Sequence, residues 1–165
     1  MSVLPFPAQP WSTGGVITLL AVSALVVAGT MVGVELCVAA LVNPIFDRLP
    51  GDGAVAGRAD GARVMGRLMP WWYAVSLVLT VSLAATTQSA LAAAGAALLA
   101  LSVVMSVTVL VPINNLTRTW TPESAPSDWR MRVRRWDRWH YVRVAVIAAG
   151  FISLAISTVA SMASM

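Results

Sequence analysis

Arg134-Arg135-Trp136-Asp137-Arg138-Trp139-His140-Tyr141-Val142-Arg143 decides the fold, because this basic, aromatic stretch runs without a break into an apolar run reaching Met162. About 20 helical residues cross a ~30 Å hydrocarbon core, and arginine and tryptophan collect where such a helix enters the bilayer. As a helix, the stretch puts Trp136, His140 and Arg143 on one face at spacings of four and three. Asp137 lies three positions before His140, the sole histidine, and is expected to orient its ring.

The whole chain carries the same signature. Its 165 residues are 58% hydrophobic and 11% charged, with mean hydropathy +0.79. A soluble domain of this length cannot hide so much apolar surface, so an integral membrane protein is expected. All 11 basic residues are arginine, and the net charge of +4 comes from arginines beside apolar runs. That placement points to membrane lipid headgroups as partners and away from nucleic acid. Cys37 is the only cysteine, so no intrachain disulfide and no cysteine-based metal cluster is expected. The first apolar run has no basic lead and is too long for a signal-peptide core, and is read as a retained span.

Four spans are expected, at about 16–42, 70–86, 89–111 and 141–162, in one membrane domain over 1–165. Polar connections at 43–69 and 112–140 and a tight turn at Thr87-Gln88 join them. Trp11, in the Pro-rich start, reads as an interfacial aromatic. Asn43-Pro44 is expected to end the first span, since a residue before proline avoids helix. Turns at Pro50-Gly51-Asp52-Gly53 and a short helix with Arg63 and Arg67 then lead to Pro70-Trp71-Trp72-Tyr73, which opens the second span. Pro112 loosens the third ahead of Asn114-Asn115, and Ser127 or Asp128 caps the fourth helix. Gly29 and Gly33 form a Gly-x-x-x-Gly pair that permits close helix approach, as does the Ala- and Gly-rich start of the third span. Every arginine lies in or beside the two connections, none near a terminus. The positive-inside rule therefore places the connections in the cytoplasm. The expected fold is all-α: a four-helix transmembrane bundle, multi-pass in the cell membrane, with both termini extracytoplasmic.

Such a bundle gathers unusual polar residues at one end. Glu35 sits inside an apolar span about 10 Å from Val42. A carboxylate there is costly unless paired, protonated or solvated, and marks a functional site; the structural alternative is a protonated Glu bonded to a neighbouring helix. Asn43, Asn114, Asn115, Asp137, His140 and Arg143 lie at the same helix ends. Glu35 or His140 can accept a proton, and the asparagine amides with Arg143 can stabilise an oxyanion. The asparagines can instead cap helix ends broken by proline, and Arg143 can be a snorkelling anchor. Trp72 and Trp136 offer flat walls to an aromatic ligand or belong to an interfacial belt. Glu35, Asp137 and His140 also form an alternative ligand set for a transition metal, whereas one histidine cannot supply bis-His haem within a chain.

Several blocks together resemble a known family: Gly33-Val34-Glu35-Leu36, Val42-Asn43-Pro44, Arg67-Leu68-Met69-Pro70, Val111-Pro112-Ile113-Asn114-Asn115, and Arg135-Trp136-Asp137-Arg138-Trp139-His140 with Arg143. They are similar to the small four-span membrane family that contains the anthrone oxygenases, over nearly the whole chain from Gly14, and most specifically in Pro-x-Asn-Asn and Trp-Asp-x-x-His. The resemblance implies four helices and, in the characterised branch, oxidation of an anthrone to an anthraquinone by O2. The expectation is thus a membrane oxygenase or oxidase acting on a lipophilic, aromatic, polyketide-like substrate with O2 and no cofactor. Glu35, His140 and Asp137 would be catalytic, and Asn43, Asn114, Asn115, Arg143, Trp136 and Trp72 would bind substrate. The alternatives are a metal- or haem-dependent oxidoreductase using the same pocket, and a non-enzymatic membrane subunit or lipophilic-ligand binder. A homo-oligomer is compatible with each.

Overall fold

The computed structural model describes residues 13–163, and among these only helices and short turns form. The Pro-rich start with Trp11 lies outside the described residues. Four helices are long and apolar enough to cross a membrane: α1 (Thr13–Arg48), α2 (Gly51–Thr87), α3 (Ala90–Thr117) and α4 (Trp129–Ala163). Each buries only a stripe, and large aliphatic side chains such as Val26, Val78, Val107 and Val159 face outward. That is how a bundle solvated by lipid is built. α1 packs on α2 and α4, and α3 packs on the same two. Consecutive helices are neighbours, and α1 and α3 stand at opposite corners of an up-and-down bundle.

The helices run further than the expected spans. Asn43-Pro44 does not end α1, because a π turn at Val38–Val42 precedes it and the helix resumes as far as Arg48. Proline lacks an N–H, and its ring clashes with the carbonyl four residues back. The wider π turn eases the clash by shifting the bonding to five residues back, where the Asn43 N–H bonds Val38 O; Ala39 O, which an N–H on residue 44 would meet in that register, accepts the Tyr141 hydroxyl at 2.6 Å instead. α3 repeats the device with a π turn at Ser106–Leu110 ahead of Val111-Pro112.

The connection expected at 43–69 is almost entirely helical, broken only at Leu49-Pro50. Pro50 is the extended residue before α2, and Pro70 lies inside α2 rather than opening it. Tertiary burial explains the difference: Ala54, Val55, Ala59 and Ala62 are all buried, and Val55 packs with Trp120 and Val133. Gln88, with φ 50°, makes the turn into α3, where the Ser89 hydroxyl caps Ala92 N–H. Asp128 stands at the start of α4, where a hydrogen bond from Arg132 holds its carboxyl below the usual range.

The closest backbone approach is between α3 and α4. A Cβ added at Gly95 would meet Gly150 O at 2.9 Å, and one at Gly150 would meet Gly95 O at 3.2 Å. Gly29 faces only the Phe151 ring, and Gly33 has nothing within 4 Å. The Gly-x-x-x-Gly pair of α1 is therefore not where backbones meet; the Gly-rich start of α3 is.

Candidate active site

Two polar clusters and a cavity share the arginine-rich end of the bundle. In the inner cluster, Glu35 (3% exposed) takes a hydrogen bond from Arg143 Nη2 on Oε2 at 2.6 Å and one from the Tyr73 hydroxyl on Oε1 at 3.0 Å. Arg143 Nη1 also donates to Ser106 Oγ at 2.9 Å, and its guanidinium lies over the Tyr73 ring at 5.3 Å. His140 is fully buried, with Nδ1 3.0 Å from Arg143 Nη2 and 3.4 Å from Glu35 Oε2. The α1 and α3 π turns border this cluster directly, Glu35 standing one turn before the first and Ser106 opening the second. Buried charges survive only when paired and hydrogen-bonded, and side chains from all four helices, two of them from α4, meet that demand here.

The outer cluster is centred on Arg58, also buried. It forms a two-bond fork onto Asp137 at 2.7 and 2.9 Å and reaches Asp47 Oδ1 at 2.7 Å, while Asn43 Nδ2 donates to Asp137 Oδ1 at 2.9 Å. Asp137 therefore does not orient His140, as the spacing of three had suggested. Its carboxylate is engaged by the stronger bidentate arginine arriving from α2, and Glu35 takes the place beside the ring.

Next to the outer cluster lies a cavity of about 350 Å³ lined by all four helices, mainly by apolar residues of α1, α2 and α4 such as Val42, Phe46, Met65 and Val133. Asn43, Arg58, Asp60, Asn114 and Thr117 supply its polar lining, and Trp136 forms part of the wall. Trp136 also stacks on His140, with ring centroids 4.5 Å apart and planes 22° from parallel. One ring thus connects the cavity to the inner cluster. Among the described residues, the buried side-chain nitrogens without a partner are Arg58 Nε, Trp136 Nε1, His140 Nε2 and Arg143 Nε, and all belong to this region. Buried polar groups are ordinarily satisfied, so their concentration here separates the site from the packed core.

Of the sequence-derived candidates, Glu35, His140 and Arg143 meet in the inner cluster, Asn43 and Asp137 in the outer one, and Trp136 bridges cavity and cluster. Asn114 lines the cavity with its Nδ2 bonded to Ala62 O at 3.1 Å, whereas Asn115 is exposed. The proposed oxyanion donors do not converge: the Arg143 Nη groups, Asn43 Nδ2 and Asn114 Nδ2 are each tied to protein acceptors. Trp72 bonds Val27 O at 3.1 Å and joins two helices away from the cavity lining. The alternative metal set of Glu35, Asp137 and His140 is not assembled, and among the described residues no three His, Cys, Asp or Glu side chains converge. Tyr73, Ser106, Arg58 and Asp47 escaped the sequence reading. A buried partner for Glu35 was demanded by electrostatics, but nothing local in the sequence says that Tyr73 supplies one.

A family model described as Anthrone oxygenase matches residues 63–153, which include Tyr73, Asn114, Trp136, Asp137, His140 and Arg143. No curated protein and no solved structure matches the chain.

Proposed function

The chain belongs to the anthrone oxygenase family, and from that membership we propose that it is a membrane oxygenase that converts a lipophilic, aromatic, polyketide-like methylene compound to the ketone with O2. The observation that carries the reading is the buried Glu35–Arg143–His140–Tyr73 cluster standing behind a mainly apolar cavity, with Trp136 between them. The arginine-rich end, and with it the cavity, is taken to face the cytoplasm.

Both Glu35 oxygens hold donors, so Glu35 acts as the counter-ion that positions Arg143 and His140. His140 is the base. In this arrangement Arg143 Nη2 donates to Nδ1 at 3.0 Å, which leaves the ring proton on the unpartnered Nε2. His140 becomes the base when that proton is lost from Nε2 and Nδ1–H turns to Glu35 Oε2, 3.4 Å away, whose carboxylate then stabilises the imidazolium that forms. Trp136 must turn aside for Nε2 to reach a substrate in the cavity, since that nitrogen is sealed in the present arrangement. Removal of a proton from the acidic methylene leaves an enolate that reduces O2. A C–O bond forms, and the resulting peroxide takes up a proton to give the hydroperoxide. Loss of the second methylene proton and cleavage of O–O then release water and leave the C=O, so that R2CH2 + O2 gives R2CO + H2O. An apolar cavity in the membrane suits such a substrate and concentrates O2 beside it.

The test is oxygen uptake by detergent-purified protein given an anthrone, with metal analysis and a visible spectrum of the same sample. Wild type should consume O2 in proportion to quinone formed, and His140→Ala should lose roughly 10²–10⁴-fold in rate. Undiminished turnover in His140→Ala overturns the assignment of the base. A stoichiometric metal or a haem spectrum, lost in that variant, overturns the cofactor-free chemistry.

A further inference from the structure

Asn43 and Asn114 lie just beyond the two π turns, on the helices at opposite corners of the bundle, Asn43 directly before Pro44 and Asn114 two residues after Pro112. Both line the cavity. Each amide nitrogen is fixed on a protein acceptor, Asn43 Nδ2 on Asp137 at 2.9 Å and Asn114 Nδ2 on Ala62 O at 3.1 Å. Those bonds set the orientation of each amide and leave its Oδ1 without a partner. Unlike Trp136 Nε1 and Arg58 Nε, neither oxygen is among the sealed, unpartnered atoms. Asn43 is 6% exposed overall, and the cavity is the open space its side chain borders.

Apart from the sealed Arg58 Nε and Trp136 Nε1, most other polar groups of the lining are already committed. The Arg58 Nη groups serve Asp137 and Asp47, the Thr117 hydroxyl donates to Ile113 O, and one oxygen of the largely exposed Asp60 accepts from Arg63. The open polar atoms are thus acceptors: besides the solvent-facing Asp60 carboxylate, one amide oxygen on each of two opposed helices. A ligand with donors satisfies them, and one without leaves them stranded as it displaces water. Gly66 adds a constraint on Asn114, because a Cβ there would stand 3.1 Å from Asn114 Nδ2, so the bare backbone of α2 is what lets that amide seat.

We infer that Asn43 Oδ1 and Asn114 Oδ1 select substrates that carry outward-pointing phenolic hydroxyls at the two ends of a flat ring system. The inference rests on the reading of the cavity as the substrate site. A hydroxyl beside the ring ketone is spent on an internal hydrogen bond, so the position of a hydroxyl matters as well as its presence.

The test is titration calorimetry on wild-type protein in lipid nanodiscs at pH 6, with empty nanodiscs subtracted. The probes are 2,6-dihydroxyanthraquinone, its 2,6-dimethoxy analogue, unsubstituted anthraquinone and 1,8-dihydroxyanthraquinone, whose hydroxyls bond internally to the ketone. The 2,6-dihydroxy compound should bind about 10-fold or more tighter than the other three, because a site built to bond a hydroxyl rejects analogues that lack it. In Asn114→Leu that ratio should shrink to within about threefold. Equal binding of the hydroxy and methoxy compounds, no saturable binding of any probe, or an unchanged ratio in a folded Asn114→Leu overturns the inference. The wild-type comparison decides by itself if that variant does not fold. A hydroxyl preference without oxygen uptake leaves the inference standing and removes the oxygenase reading, whereas uptake without the preference does the reverse.

Discussion

Glu35→Gln deletes one charge with almost no change in volume, so its cost measures the ion pair at the centre of the site. Glu35 and Arg143 are 3% and 7% exposed, and their 2.6 Å contact is the shortest in the inner cluster. The variant leaves Arg143 buried with only neutral partners, Ser106, His140 and the new amide. Removing one member of such a pair costs about 3–5 kcal/mol, because the remaining charge has lost its water and gained nothing. Replacing both members, as in Glu35→Gln with Arg143→Met, should cost much less than the sum of the single changes, since no uncompensated charge remains. The assay is a double-mutant cycle from unfolding in mixed micelles titrated with dodecyl sulfate and followed by circular dichroism. A loss below about 1 kcal/mol in Glu35→Gln, the value of an exposed pair, refutes the reasoning, as do strictly additive losses.

Two further outcomes test the architecture. Gly95→Ala should lower stability by about 1–3 kcal/mol, because its Cβ would press on Gly150 O at 2.9 Å and backbone must move, while Gly33→Ala should change little; thermal unfolding in detergent separates them. Tyr141→Phe should cost about 1–2 kcal/mol by stranding Ala39 O, and should cost less in a Pro44→Ala background, where residue 44 regains an N–H to meet that carbonyl. Additivity of the latter two changes by the same unfolding assay would show that the missing N–H of Pro44 is not what frees the carbonyl.

The polar candidates divided according to what each asked of its surroundings. Glu35 and Arg143 were legible because a charge beside or inside an apolar run must find an opposite charge, and the two found each other. Asp137 and His140 were misjudged as a pair because spacing along a helix shows which groups are able to meet, and Arg58, 79 positions away in sequence, outcompeted the histidine for that carboxylate. Asn115 adjoins Asn114 in sequence, yet its rotation about the helix axis leaves it exposed, and Trp72 reaches Val27 O, eight residues before Glu35 on α1, whereas Trp136 stacks on His140. Tyr73 lay inside an aromatic cluster that read equally well as an interfacial belt.

By itself the sequence determined the number of membrane helices, the arginine-rich end and the clustering of polar groups there, because hydropathy and charge are summed over many residues and the bilayer enforces them. Only the tertiary structure decided where the helices end. Pro44, Pro70 and Pro112 are local breakers, but packing against neighbouring helices, together with π turns before Pro44 and Pro112, carried the helices through. It also decided which side chains share a site, since four helices must first choose their rotations and meet before a carboxylate, a guanidinium, an imidazole and a phenol can come within hydrogen-bonding distance.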